Sequence, residues 1–261
     1  MRIVSPGHAV FAATLVALGI SGLFYGDFAP IWNSVPQGAP AREVLAYLCA
    51  VISLGCGAGL LWQRTAAAAS RVLLGYLLLW LLLIKGPYIL DAPTVEVNYQ
   101  SAGETAVLVA GAWALFAELA RGWDRRWLGF ATGETGMRLA RALYALALIA
   151  FGLSHFAYLN LTAPLVPDSL PGHVGWAYFT GATYLAAALG LLLGVYARLA
   201  ATLSALQMGL FTLLVWPPLM ARGLISTHQL GEFSVSWALT AAAWVVAESY
   251  RGTAWRVADR R

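Results

Sequence analysis

Residues 152–181 read GLSHFAYLNLTAPLVPDSLPGHVGWAYFTG, and the same order of features stands once before in the chain. GISGLFYGD, starting at Gly19, resembles GLSHFAYLN, starting at Gly152, and VPQGAPAREVLAYL at Val35 resembles VPDSLPGHVGWAYF at Val166. Later markers keep the same order: Gly59 with Gly190, Arg64 with Arg198, Gly75 with Gly209, the GE pairs at Gly103 and Gly231, and the RG pairs at Arg121 and Arg251. Self-similarity with a period of about 130 residues implies two copies of one structural unit.

Composition sets the medium in which that unit folds. The chain of 261 residues is 60% hydrophobic and 11% charged, with a mean hydropathy of +0.71; soluble domains carry about a quarter charged residues. Eight apolar segments can be drawn, at 8–26, 44–63, 72–90, 105–121, 142–160, 174–195, 199–220 and 233–249. Each approaches the length of about 20 residues that crosses a bilayer as a helix. The fold class expected is therefore all-α and polytopic, with eight transmembrane helices in two four-helix repeats. Four crossings return the chain to its starting side, so both copies enter in the same direction and are parallel.

Loop charges test the segment count. With the N-terminus inside, one side collects Arg2, Arg64, Arg71, Arg121, Arg125, Arg126, Arg138, Arg141, Arg198, Arg251, Arg256, Arg260 and Arg261, and the other only Arg42, Lys85 and Arg222. Cytoplasmic loops are enriched in Lys and Arg, which puts both termini in the cytoplasm. The first segment aligns with the fifth, so it is expected to be a retained helix rather than a cleaved signal peptide. The divisions are 1–121 for the first, degenerate repeat, 122–138 for a basic, Trp-bearing linker along the headgroups, and 139–261 for the second repeat. The formal charge of +4 sits between apolar runs, which fits membrane topology and argues against nucleic acid as a partner.

Cys49 and Cys56 lie seven residues apart in one apolar run, about 10.5 Å along a helix, too far for a disulfide. There is no CxxC pair, Cys/His metal spacing or glycine-rich phosphate loop, which argues against thiol-disulfide chemistry, a zinc site and nucleotide binding. Gly55, Gly57 and Gly59 in the second segment, and Ala186, Gly190 and Gly194 in the sixth, allow close backbone approach. These two segments are expected to be the spines of their bundles.

The stretch from His155 to Leu203 resembles the DoxX family of small bacterial membrane proteins. The shared elements are the HF pair at His155, the VPDSLP loop, the WAYFTG helix start and an Ala-rich helix after a short Arg turn. The second repeat fits well, the first weakly, and the family usually has a single four-helix unit. The resemblance implies a four-helix fold in the bacterial cytoplasmic membrane and kinship with the DoxD subunit of a thiosulfate:quinone oxidoreductase. A quinone as bound cofactor and a redox partner subunit are expectations from that kinship.

Ionisable side chains inside a membrane are functional candidates because they are costly there. His155 is the first of them, with Tyr158 at i+3 on the same helix face and Asn160 near the interface; His and Tyr together can hydrogen-bond a quinone carbonyl. The alternative is that His155 bonds a backbone carbonyl and holds the bundle together. Glu232, at the outer start of the last helix, is expected to approach His155 or Tyr158 if the fourth helix of the unit returns beside its first; the alternative is a first-turn acid favoured by the helix dipole. His228 reads as a solvated loop residue. Asp168 or Ser169 is expected to cap the sixth helix, with Pro171 in its first turn, and Trp176 either joins the aromatic belt or walls a pocket. Glu104 aligns with Glu232, but Gly22 replaces His155 in the first copy, which carries Lys85 instead. Lys85 either snorkels outward or pairs with Asp91 or Glu104. One asymmetric site, centred on the second repeat, is therefore expected. The functional expectation is a lipophilic-molecule or redox-accessory subunit; the rivals are a small-solute transporter or channel, and a scaffold without chemistry.

Overall fold

The computed structural model describes residues 5–32, 35, 36, 38–221, 223 and 226–255; Arg2, Arg222, Arg256, Arg260 and Arg261 lie outside them. Eight helices are long and apolar enough to cross a membrane: α1 Pro6–Tyr25, α2 Arg42–Leu61, α3 Ala66–Asp91, α4 Glu96–Leu119, α5 Gly133–Ala157, α6 His173–Leu193, α7 Ala197–Ala221 and α8 Thr227–Glu248. Among the described residues there is no strand. The protein is an all-α, multi-pass membrane protein. Helices are what hydrocarbon allows, because each satisfies its own backbone polar groups.

Several helices run past the apolar segments that announce them. α4 begins at Glu96 rather than near residue 105, and α5 at Gly133 rather than near 142. Their polar first turns, EVNYQSAGE and GETGMRLAR, continue the helix into the interfacial zone. Glu104 and Glu232 thus lie inside α4 and α8, beyond the first turn. α5 also takes up the end of the linker, leaving short helical turns at Gly122–Trp127 and Gly129–Ala131.

Each helix packs on its neighbour in sequence, and α8 returns to α1, while α4 and α8 meet through the middle. α1 therefore packs on α8 rather than on α4, and α5 packs chiefly on α4 and α6, touching α8 only slightly. The fourth helix of each half closes the other half's bundle. α4 is the most enclosed, with 78% of its most apolar stretch buried. The spine of the molecule is thus the α4–α8 seam, not α2 and α6, because α2 and α6 each leave one face on the perimeter. The seam is tight: a methyl group on Gly111 would lie 3.0 Å from both Cα and Cβ of Ala242.

The two halves repeat their crossings residue by residue. A Cβ on Gly19 would meet Leu54 at 2.6 Å, and one on Gly152 would meet Leu185, its counterpart, also at 2.6 Å. α2 and α6 start from matching left-handed residues, Ala41 (φ 53°) and Gly172 (φ 73°). Gly172 is thus the N-cap of α6, with no side-chain cap, and Asp168, Ser169 and Pro171 all precede the helix. The chain enters α6 through a left-handed residue, and no side chain caps the helix. Cys49 and Cys56 are both buried free thiols, as their spacing requires.

α3 departs from regular winding. Residues Trp80–Lys85 form a π-helical turn, closed by Gly86 N–H donating to Leu81 O. Pro87 would otherwise drive its ring against the carbonyl four residues back, and the widened turn accommodates it. The extra width rotates the end of the helix relative to its start, and Lys85 is 6% exposed.

Candidate functional site

A groove of about 850 Å³ lies between α6 and α7. It runs from Leu165 and Leu170 in the loop after α5 down to Val195 and Tyr196 at the α6–α7 turn. α6 is 21 residues long, about 30 Å at 1.5 Å per residue, so the groove follows the thickness of a bilayer. Its walls are mainly Leu, Ala and Val, which makes it a place for an apolar chain.

Polar groups gather in one part of it. Thr183 Oγ1 donates to Gln207 Oε1 at 2.7 Å, and Gln207 Nε2 donates to the carbonyl of Thr180 at 3.2 Å. The buried Tyr184 phenol is a further hydrogen-bonding neighbour of Gln207, and its ring lies 5.6 Å from that of His155. His155 lines the same groove. Its Nδ1 lies 2.7 Å from the Phe151 carbonyl. A carbonyl only accepts, so Nδ1 carries the proton, and in the neutral ring Nε2 is left as an acceptor. The imidazole therefore suits a ligand hydroxyl better than the ligand carbonyl expected from sequence.

His155 has room because of a paired exchange between the halves. Gly22 faces Ala50 in the first half, with an added Cβ 2.8 Å from the alanine methyl; in the second, His155 faces Gly181. A methyl group on Gly181 would lie 2.9 Å from His155 Cβ and 3.0 Å from the Gly152 carbonyl. Gly181→Ala is expected to displace the imidazole and cost about 1–3 kcal/mol in a denaturant titration, whereas Gly175→Ala, with nothing within 4 Å, leaves the midpoint in place.

Three expected members stand elsewhere. α5 ends at Ala157, and Tyr158 turns out of the helix (φ −117°, ψ 46°), so i+3 does not place it with His155. Its hydroxyl accepts from Val97 N–H at 3.2 Å, tying the loop to α4. Asn160 is exposed in the short turn Leu159–Thr162. Its first-half counterpart Asp27 pairs with Arg42. Burial pushes the Asp27 carboxyl up, but the Arg42 hydrogen bond, the Phe28 N–H and the guanidinium charge outweigh it and hold the group below its usual value. Asp168 is exposed in the loop between α5 and α6. Trp176 does wall the groove, packed edge-on to Phe179 at 5.8 Å.

Glu232 joins a different group. It lies within electrostatic reach of Glu104, which in turn faces Lys85. Lys85 Nζ donates to Ser101 Oγ at 2.6 Å, so the lysine stays inside rather than snorkelling. His228, 79% exposed, approaches Glu232 at 4.0 Å. This cluster draws on α3, α4 and α8 and grades from solvent to interior. Glu232 misses His155 because α8 closes against α4 and α1, not against α5. Among the described residues no group of three or more His, Cys, Asp or Glu could hold a metal ion.

At the matching place in the first half, aromatic rings pack against one another. Trp80, whose counterpart Leu214 lines the groove, stacks on Trp32 at 4.8 Å and meets Phe28 edge-on at 6.0 Å. Tyr76 completes the cluster, 5.3 Å from Trp32. Aromatic side chains fill in one half what remains open in the other. Thr180, Thr183, Tyr184 and Gln207 were missed by sequence reasoning; Gln207, an amide in the middle of the apolar run ATLSALQMGLFTLL, was the available signal.

A family model described as "Domain of unknown function (DUF8561)" matches residues 144–247. That span contains His155, α6, α7 and nearly all of the groove. No curated protein and no solved structure matches the chain.

Proposed function

We propose that the protein holds a lipophilic molecule with a hydroxyl-bearing head in the α6–α7 groove, and that this molecule is a quinol. The reading rests on one observation: an imidazole acceptor and a glutamine–threonine pair occupy an otherwise apolar groove of bilayer length. The head fits among His155, Thr183 and Gln207, and the chain lies along Leu189, Leu193 and Leu203. The resemblance of residues 155–203 to the DoxX family supports an accessory role in a bacterial redox system, with any electron transfer supplied by the bound molecule and a partner subunit. The arginine distribution supports the cytoplasmic membrane as location, with both termini inside. The close α4–α8 packing at Gly111 and Ala242 weighs against a solute path between the two halves.

The test is equilibrium binding of a short-chain benzoquinol, its quinone and its dimethyl ether to detergent-solubilised protein. The quinol is expected to bind best, and His155→Ala is expected to weaken it about fivefold to tenfold, the worth of one hydrogen bond, while leaving the ether unchanged. No apolar molecule co-purifying, together with no binding of any of the three, would refute the proposal.

A further inference from the structure

At the end of the bundle where α1 starts and α8 stops, the two halves build the same device. Arg71, in the early turns of α3, places its guanidinium 5.2 Å from the centre of the Trp123 ring, which follows α4. Arg198, at the start of α7, places its own 3.9 Å from the ring of Trp255, which follows α8. The surroundings differ in charge. Arg71 pairs with the buried carboxylate of Asp124, whereas Arg198 Nη1 donates to the Thr253 carbonyl at 2.9 Å and, among the described residues, forms no ion pair. Asp124 is the only acid between residues 121 and 127, and Arg71 already compensates it. Arg121, Arg125 and Arg126 on that segment are therefore surplus positive charge, and all three are exposed.

Apolar rings share this face. Trp123, Trp127 and Phe130 are 58%, 63% and 64% exposed, and Arg126 lies over Trp127 at 5.7 Å. Exposed tryptophans interleaved with arginines belong at the headgroup level, where the ring rests in the boundary and the cation meets the phosphate. Stacking on an indole occupies the flat face of a guanidinium and leaves its edge of N–H donors, which matches phosphate oxygens two at a time.

We infer that this face binds anionic phospholipid headgroups, gripped by Arg125 and Arg126 beside the first Arg–Trp pair and by Arg198 at the second. The partner is a lipid of the adjacent leaflet, because the rings that flank each arginine need an acyl boundary to cover them. Binding here is independent of the groove and of what occupies it.

The experiment is lipid retention by the purified full chain, read by native mass spectrometry after exposure to equal amounts of phosphatidylglycerol and phosphatidylcholine. The wild type is expected to retain phosphatidylglycerol preferentially. Changing Arg125, Arg126 and Arg198 together to Gln is expected to lower that preference by about fivefold for each charge removed. Replacing the same three by Lys keeps the charge and is expected to retain most of the preference, and circular dichroism of both variants checks that the helices persist. Equal retention of the two lipids by the wild type, or an unchanged preference in the Gln variant, overturns the inference. So does displacement of phosphatidylglycerol by millimolar inorganic phosphate, which would make this a phosphate site rather than a lipid one.

Discussion

Lys85→Met is expected to cost about 3–5 kcal/mol, the loss of one partner of a buried charge pair. The lysine is 6% exposed, is bonded to Ser101 and is the cation that faces Glu104. Methionine fills similar volume, so packing is nearly conserved and the effect isolates charge. Without the ammonium, the Glu104 carboxylate loses the cation that faces it and is left with the charge of Glu232, which is 45% exposed. The second substitution Glu104→Gln, made on Lys85→Met, removes that repulsion and should recover most of the loss; a double-mutant cycle in a denaturant titration measures it. Additive losses in the double variant would show that Lys85 and Glu104 do not act as a unit.

Gly57→Ala is expected to cost about 3 kcal/mol, the upper end of the ordinary overpacking range. The added methyl would lie 2.7 Å from both the Ala12 carbonyl and the Val16 nitrogen on α1. Those are backbone atoms, so no side-chain rotation relieves the clash, and α1 and α2 must separate along their whole crossing. Gly55→Ala, two residues earlier, meets nothing within 4 Å. It should be neutral or stabilising by about 0.5–1 kcal/mol, because alanine is the better helix former. Thermal unfolding of the pair in one detergent gives the comparison. A small effect at Gly57 would mean that α1 and α2 lie farther apart than the structure places them.

These contrasts explain which features the sequence made legible. Gly19 and Gly152 stand out as repeat markers because each admits a leucine from the partner helix at the same crossing, and a contact so close leaves one residue type possible. Helix number comes from apolar length alone. The ends of α4 and α5 were hidden because their first turns are polar, and polarity in an interfacial helix looks like a loop.

The site divides along similar lines. His155 is conspicuous as an imidazole in an apolar run, and it does line the groove. Tyr158 misled because i+3 spacing presumes a helix that has already ended at Ala157. Glu232 misled for a tertiary reason: the path of α8 depends on contacts between halves, which no spacing within one half encodes. Thr183 and Gln207 become a pair only when α6 and α7 are packed together; Gln207 had a local signature as an amide in an apolar run, and Thr183 had none.

That exchange of closing helices has a bearing on how the chain is made. α1 is synthesised before α8, yet Gly7 N–H donates to Glu248, and the Trp237 indole N–H donates to Thr14. Both partners belong to α8, which emerges only after the six helices between them. Until then α1 holds one flank open to lipid while six other helices are inserted, and α4 meanwhile gains α5 at once. α8 is therefore the latch of the whole assembly. A chain arrested before residue 227 would carry an unsatisfied first helix as the mark by which membrane quality control can recognise it.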